Sequence, residues 1–157
     1  MKPSLYKIAN IKSGVLYIMP KPSSDWLSDD IQFLQKSGIT KIVSLLENRE
    51  ADELNLGKEK DICKLHNVSF EQFPIQDRAT PNKKHLKLFT DKILQELNDG
   101  EEIAVHCRAG IGRAGLVTCC TLINAGLSHS EAISIVTNAR SCSIPDTTEQ
   151  LQFIENY

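Results

Sequence analysis

Residues 102–125 constrain the fold of this chain more than any other stretch. They begin with "EIAVHC", pass through a turn with glycines at 110 and 112, and continue as "RAGLVTCCTLINA". The first run is short, apolar and closed by His106-Cys107, the pattern of a buried strand. The last run carries Leu116, Val117, Cys119, Cys120, Leu122 and Ile123, so a helix from about Gly112 to Ala125 has no polar face. A helix that is apolar on all sides has to run through a core. The remaining sequence must therefore cover it.

Strand and helix signals alternate along that remainder. "LYKIA" (5–9) and "GVLYIMP" (14–20) read as a hairpin. "SSDWLSDDIQFLQKSG" reads as a helix with a serine cap, a buried side at Trp26, Leu27, Ile31 and Leu34, and Gly38 as its stop. "ITKIVSLL" (39–46) is a buried strand, and residues 47–67 are polar and helical in two pieces around Gly57. After the strand "VSFEQFPI" (68–75) and the loop "QDRA", Thr80-Pro81 opens a helix to Gly100 with Leu86, Phe89, Ile93 and Leu97 inward. Two more helices start at capping boxes, Ser128 with Glu131 and Thr147 with Gln150. This alternation predicts an α/β fold, a mainly parallel central sheet flanked by helices, in a single domain over residues 1–157.

Bulk properties narrow the function classes. A formal charge of −2 gives no reason to expect a nucleic-acid partner. No apolar run approaches the roughly 18 residues of a membrane span, and Asn10, Lys12 and Gly14 interrupt the start too early for a signal peptide. The five cysteines (63, 107, 119, 120 and 142) are odd in number, without CxxC or zinc-finger spacing. A reducing, cytoplasmic location is expected. Cys119 and Cys120 read as core, and Cys63 and Cys142 as candidate disulfide partners for a reactive thiol. The oligomeric state is left open.

The turn after the strand carries the chemistry. A strand-loop-helix turn aims backbone N–H groups and the positive end of a helix dipole at one point, which makes an anion site. Gly110 and Gly112 let the backbone turn inward there. Arg113, six residues after Cys107, can fold back and grip a phosphate through two parallel hydrogen bonds. A thiol in those surroundings is expected to ionise in the range of about 3.5–7.5 rather than near 8.5. That describes a thiolate nucleophile facing a bound phosphate. The Gly-Lys-Ser/Thr of a P-loop is absent, and "GIGRAG" (110–115), although spaced as GxGxxG, lies late in the chain, unlike a dinucleotide site.

"VHCRAGIGRAG" resembles the His-Cys-x-x-Gly-x-x-Arg signature of the cysteine-dependent protein tyrosine and dual-specificity phosphatases. The chain as a whole is similar to their small atypical members, the group that includes the cyclin-dependent-kinase-associated phosphatase. "ITKIVSLLENREADELNL", "FPIQDRATP" and "ARSCSIPDTTEQ" resemble further segments of that group. The resemblance implies Cys107 as the residue that forms a phosphocysteine intermediate and Arg113 as its phosphate-binding partner. Arg108, Ala109, Gly110, Ile111, Gly112 and Arg113 would supply a cradle of N–H groups. His106 would support the thiolate, or else be a satisfied strand-end histidine. Asp77, 30 residues before Cys107, would protonate the leaving oxygen and then activate water, with turn chemistry beside Pro74 and Pro81 as its alternative. Asp146 is a weaker candidate in a segment that reads first as a helix start. Gln150 would orient the water, against an exposed first-turn glutamine. Glu47-Asn48-Arg49 reads as a solvated helix start rather than as a border of the cleft. No metal or other cofactor is implied.

One position departs from the resemblance. The family usually has Ser or Thr after the arginine, whose hydroxyl stabilises the leaving thiolate; here the residue is Ala114. A hydrogen bond to a charged group contributes about 1.5–3 kcal/mol, so its absence allows a loss of about 10- to 100-fold. The expected function is hydrolysis of phosphotyrosine, with phosphoserine and phosphothreonine as further substrates, in a phosphorylated protein or peptide. Phosphatases of inositol lipids or RNA 5′ ends share the loop. A phosphoprotein-binding pseudophosphatase is the reading that Ala114 keeps open.

Overall fold

The computed structural model describes residues 2–157. Its five strands are β1 (Tyr6–Ile11), β2 (Gly14–Met19), β3 (Lys41–Ser44), β4 (Ser69–Gln72) and β5 (Glu102–His106), laid side by side in the order β1-β2-β5-β3-β4. Only the β1–β2 pair is antiparallel; β2–β5, β5–β3 and β3–β4 are all parallel. The helices are α1 (Leu27–Lys36), α2 (Asn48–Glu53), α3 (Glu59–Leu65), α4 (Lys83–Asn98), α5 (Arg113–Asn124), α6 (His129–Arg140) and α7 (Thr148–Glu155). The expected α/β class and mainly parallel sheet are therefore present.

The two-residue period of the strands sorts the core into two layers. Leu16, Ile18, Val43, Ile103 and Val105 face one side, where they cluster with Leu86, Phe89, Ile93 and Leu97 of α4 and Leu116, Val117 and Cys120 of α5. Met19, Ile42 and Ala104 face the other, with Ile31 and Leu34 of α1 and Cys63 of α3. Every residue of α5 from Arg113 to Leu122 is buried, as a helix without a polar face requires. Parallel strands β2, β5 and β3 all end at the same edge of the sheet. The turn bearing Cys107 leaves from the middle of that edge.

Local expectations fare unevenly. The hairpin, the two short helices either side of Gly57, the α4 stripe and both capping boxes are found. The serine cap of α1 is not: its N-cap is Trp26, with no side-chain cap bond. Ser23 instead accepts the Trp26 N–H at 3.3 Å, and its own N–H goes to Asp30. Trp26 is 60% exposed rather than buried, because it precedes the first turn and never joins the apolar stripe. Asn82, not Thr80-Pro81, caps α4, accepting the His85 N–H at 3.0 Å. β4 ends at Gln72, just before Phe73-Pro74, a proline having no N–H to give a ladder. Among the described residues no helix is long and apolar enough to cross a membrane.

Burial predicts a sharp contrast between two leucines. Leu116→Ala, at a fully buried position of α5, is expected to cost about 2–5 kcal/mol. Leu88→Ala, at a position 70% exposed on α4, is expected to change stability by less than about 0.5 kcal/mol. Urea midpoints of the two variants check this.

Candidate active site

Six consecutive carbonyl oxygens in the 107–112 turn point away from its centre, and each has a donor. His106 Nδ1 takes Cys107 O at 2.9 Å, and Lys21 N–H takes Arg108 O at 3.1 Å. Arg140, at the end of α6, reaches back to Ala109 O at 3.2 Å and Gly110 O at 2.9 Å. The N–H groups of Gly115 and Leu116 take Ile111 O and Gly112 O at 3.1 and 2.9 Å. Among the described residues, none of the backbone N–H groups of residues 108–113 donates to a protein acceptor. A turn with its acceptors spent outside and its donors free inside, opening a helix, is an anion nest.

Two glycines permit this path. Gly110 has φ +71°, and a Cβ there would lie 2.7 Å from Pro20 N, at the end of β2. A Cβ on Gly112 would come within 2.9 Å of Asp146 Cβ. Arg140 is itself held, with its guanidinium 4.2 Å above the Tyr6 ring.

At the base of the nest are Cys107, 3% exposed, and Arg113, 2% exposed. Arg113 Nη1 donates to Glu50 Oε1 at 2.8 Å and to Ile75 O at 2.9 Å. Its Nη2 donates to Glu50 Oε2 at 2.9 Å and lies 3.1 Å from Asp77 Oδ1. Glu50 therefore grips one edge of the guanidinium with both oxygens. Among the described residues Nε has no partner, and Nη2 meets Asp77 besides Glu50, so the Nε–Nη2 edge is the one open to a second bidentate anion. Burial works against the charge on Arg113, but Glu50, Cys107 and Asp77 outweigh it and hold its pKa above the usual value. The hydrogen bonds from Arg113 hold the Glu50 carboxyl below the usual range despite burial.

Alternation along β5 turns His106 to the opposite face, towards α3. It is fully buried, with Nδ1 on the Cys107 carbonyl and Nε2 2.7 Å from Glu59 Oε1. Burial disfavours its charged form, yet Glu59 outweighs burial and raises its pKa. Cys63 lies one helical turn from Glu59, and burial pushes its thiol up to about 12. Burial likewise pushes Cys119 to about 12. A thiol at such a value is a poor partner for disulfide exchange.

Asp77, half-exposed, sits over the Arg113 edge at the mouth of a hollow of about 160 Å³. Cys107, Arg108, Ala109, Gly112 and Arg113 form the rest of the inner lining, with Arg78, Asp146 and Gln150 at its side. Ile111 packs instead against the α4–α5 layer of the core. Arg78 Nη1 meets Asp146 Oδ2 at 2.9 Å, closing one side of the rim. Gln150 is fully buried, which removes the exposed-glutamine alternative. Its Oε1 accepts the N–H groups of Asp146 and Thr147, and its Nε2 donates to Ala79 O at 3.2 Å. Gln150 thus ties the Asp77 loop to the start of α7.

Ala114 is buried, and its side chain offers no donor. Thr118, one turn on, spends its hydroxyl on Ala114 O and Gly115 O and leaves none for Cys107. The solvated reading of residues 47–49 fits Arg49, which pairs with Glu53 on the surface. It misses the next residue, Glu50. Glu50, Glu59 and Arg140 escape a reading of the sequence because each lies in a polar helix where a charge is ordinarily solvated. Only the buried cation or outward carbonyl opposite each one gives it a task.

Comparison with known proteins agrees with this geometry. Residues 19–127 match a family model described as "Tc-R-P: Polymorphic toxin system, DSP-PTPase phosphatase". The chain is 30% identical over 142 residues to protein tyrosine phosphatase type IVA 3 of Bos taurus, covering 89% of this chain and 76% of that protein. It is 28% identical over 158 residues to the PRL-1 phosphatase of Drosophila melanogaster, covering 99% and 82%. Kinase associated phosphatase, solved with its catalytic cysteine changed to serine, superposes with a TM-score of 0.90 at 18% identity, over 99% of this chain and 94% of that one. That last likeness is one of fold.

The charge pairs set a pH profile of stability. Glu50 and Glu71 titrate low in the folded state, the latter because Lys41 and Lys92 outweigh its burial. Their contribution is complete above the unfolded value of about 4.3 and is lost as pH falls through the folded one. His106 titrates high, so its contribution is complete below about 6.5 and is lost as pH rises through its folded value. The urea midpoint is expected to be highest between about pH 4.3 and 6.5 and to fall on both sides. A midpoint still climbing above that window would contradict the His106 assignment.

Proposed function

This chain belongs to the DSP-PTPase family of phosphatases, and we propose that it hydrolyses phosphotyrosine in proteins, and phosphoserine and phosphothreonine more slowly, through a phosphocysteine on Cys107. The observation that carries this reading is the inward ring of unpaired N–H groups around Cys107, facing the open edge of Arg113. The three equatorial oxygens of a phosphoryl group in transfer need donors fixed in advance, and this ring provides them. No metal is required for that chemistry.

The sequence of events follows from the contacts. The substrate phosphate displaces Asp77 from Nη2 and takes the Nε–Nη2 edge, while Glu50 keeps the other edge and holds the guanidinium in place. The Cys107 sulfur attacks phosphorus and the bond to the tyrosyl oxygen breaks; Asp77, which takes up a proton from solvent on leaving the guanidinium, passes it to that oxygen. Water then attacks the phosphocysteine. Asp77 accepts the water's proton, the S–P bond breaks, and inorganic phosphate leaves with the thiolate restored. Gln150 holds the Asp77 loop through Ala79, and its amide oxygen is already taken by two backbone donors. It acts as a loop tether.

Substrate preference follows from the lining. The hollow has no aromatic wall, so nothing in it excludes an alkyl phosphate. A phenolate, with a conjugate acid near pKa 10, leaves more readily than an alkoxide, which favours phosphotyrosine. Of the rim arginines, Arg78 is matched by Asp146, and Arg108 shares Glu50 with Arg113 at 3.5 Å, so one surface cation is left for substrate, fewer than a polyphosphorylated lipid headgroup would engage.

Phosphate release from phosphotyrosine and phosphoserine peptides, with chelator and reductant present, tests this. Cys107→Ser is expected to abolish release, and Asp77→Ala to cut it about 10²- to 10⁴-fold near neutral pH. Persistent activity in Cys107→Ser would overturn the reading. Ala114→Ser is expected to raise turnover by about 10- to 100-fold if phosphocysteine hydrolysis limits the rate. Unchanged turnover would show that the missing hydroxyl does not matter here.

A further inference from the structure

We propose that Glu59 is a positioning residue: it keeps His106 doubly protonated behind Cys107, and through that imidazolium favours the reactive thiolate at neutral pH. This rests on the reading of Cys107 as the nucleophile. Glu59 itself touches neither the hollow nor any substrate placed in it. It lies on the α3 side of the sheet, where it borders a separate hollow of about 340 Å³ with Ser44, Asn48 and Gln72.

The argument is an inventory of hydrogens. A carbonyl oxygen only accepts, so the 2.9 Å contact to Cys107 O requires a hydrogen on Nδ1. An ionised Glu59 also only accepts, so with Glu59 as a carboxylate the 2.7 Å contact to its Oε1 requires a hydrogen on Nε2. A ring with both hydrogens is an imidazolium. Water or an amide at the Glu59 position would let Nε2 stay bare. Glu59 therefore decides whether the ring carries a charge.

The other groups facing His106 do not supply that charge balance. Arg113, from α5, opposes a positive ring, and its own charge is engaged by Glu50 and Asp77. Cys63, beside Glu59 on α3, stays a neutral thiol. The strand neighbours in register, Met19 on β2 and Ser44 on β3, are uncharged. The balance of burial against Glu59 points the same way, towards the protonated ring. The ring is bonded to the carbonyl of Cys107 itself, with the carboxylate on its far side. The positive end of the pair is thus the end nearer the sulfur, the arrangement that favours an ionised thiol.

Two measurements decide this without any phosphorylated substrate, so they stand apart from the test of phosphatase activity. Nitrogen NMR of the unmodified protein at pH 7.5 is expected to show both His106 ring nitrogens protonated. One protonated and one bare nitrogen would overturn the proposal, whether or not any variant folds. In Glu59→Gln, which keeps size and hydrogen bonding but loses the charge, alkylation of Cys107 by iodoacetate at pH 6 is expected to fall about tenfold. The rate at pH 9 is expected to match wild type. A variant with lower thermal stability but an unchanged ratio of the two rates would show that Glu59 serves the fold alone.

Discussion

The direction of six peptide groups governs this molecule. Carbonyls 107–112 face outward because each meets a donor there, and the N–H groups of the same turn are consequently left facing the hollow. Three of the donors are local, His106 and the N–H groups of Gly115 and Leu116, and two come from far along the chain, Lys21 after β2 and Arg140 on α6. The distant pair explains why so short a turn needs a whole α/β layer around it. Loss of any one would let a carbonyl rotate inward, where it would repel an anion.

Charge is matched with equal care. Arg113 and His106 are both fully enclosed, and each has a carboxylate on the side away from the nest, Glu50 for one and Glu59 for the other. Buried pairs of this kind contribute little net stability, because desolvation offsets most of their attraction, although removal of one partner is costly. Their effect here is orientation. Glu50 turns the Arg113 guanidinium so that its Nε–Nη2 edge faces the hollow, and Asp77 rests on that edge until an anion replaces it. The Asp77 loop thus rests against the Arg113 guanidinium through a single exposed contact; under the proposed mechanism, substrate exchanges that contact.

The parts of this arrangement that are periodic or local can be read from the chain directly. The α5 run from Leu116 to Leu122 has no polar face and so announces a core helix; Ser128-Glu131 and Thr147-Gln150 announce helix starts. The spacing of His106, Cys107, Gly110, Gly112 and Arg113 announces an anion site. Glu50, Glu59 and Arg140 are invisible at that level, since their partners lie 63, 47 and about 30 residues away in sequence. A carboxylate in "ENREADEL" looks like any solvated helix residue until β5 and α5 place a buried cation opposite it. The serine cap of α1 and Thr80-Pro81 at the start of α4 fail for a different reason. Caps depend on which residue the preceding loop delivers to the first turn, and that is set by tertiary packing rather than by the capping residue's own preference.

The most direct test of the central claim is to stop the reaction with phosphotyrosine peptide by acid within a turnover and map the enzyme by mass spectrometry. A phosphoryl group on the peptide that contains Cys107, appearing before free phosphate and absent from Cys107→Ser, is the expected result. Phosphate released with no adduct on Cys107, or an adduct on another side chain, would contradict the account of the nest as the seat of a thiolate nucleophile.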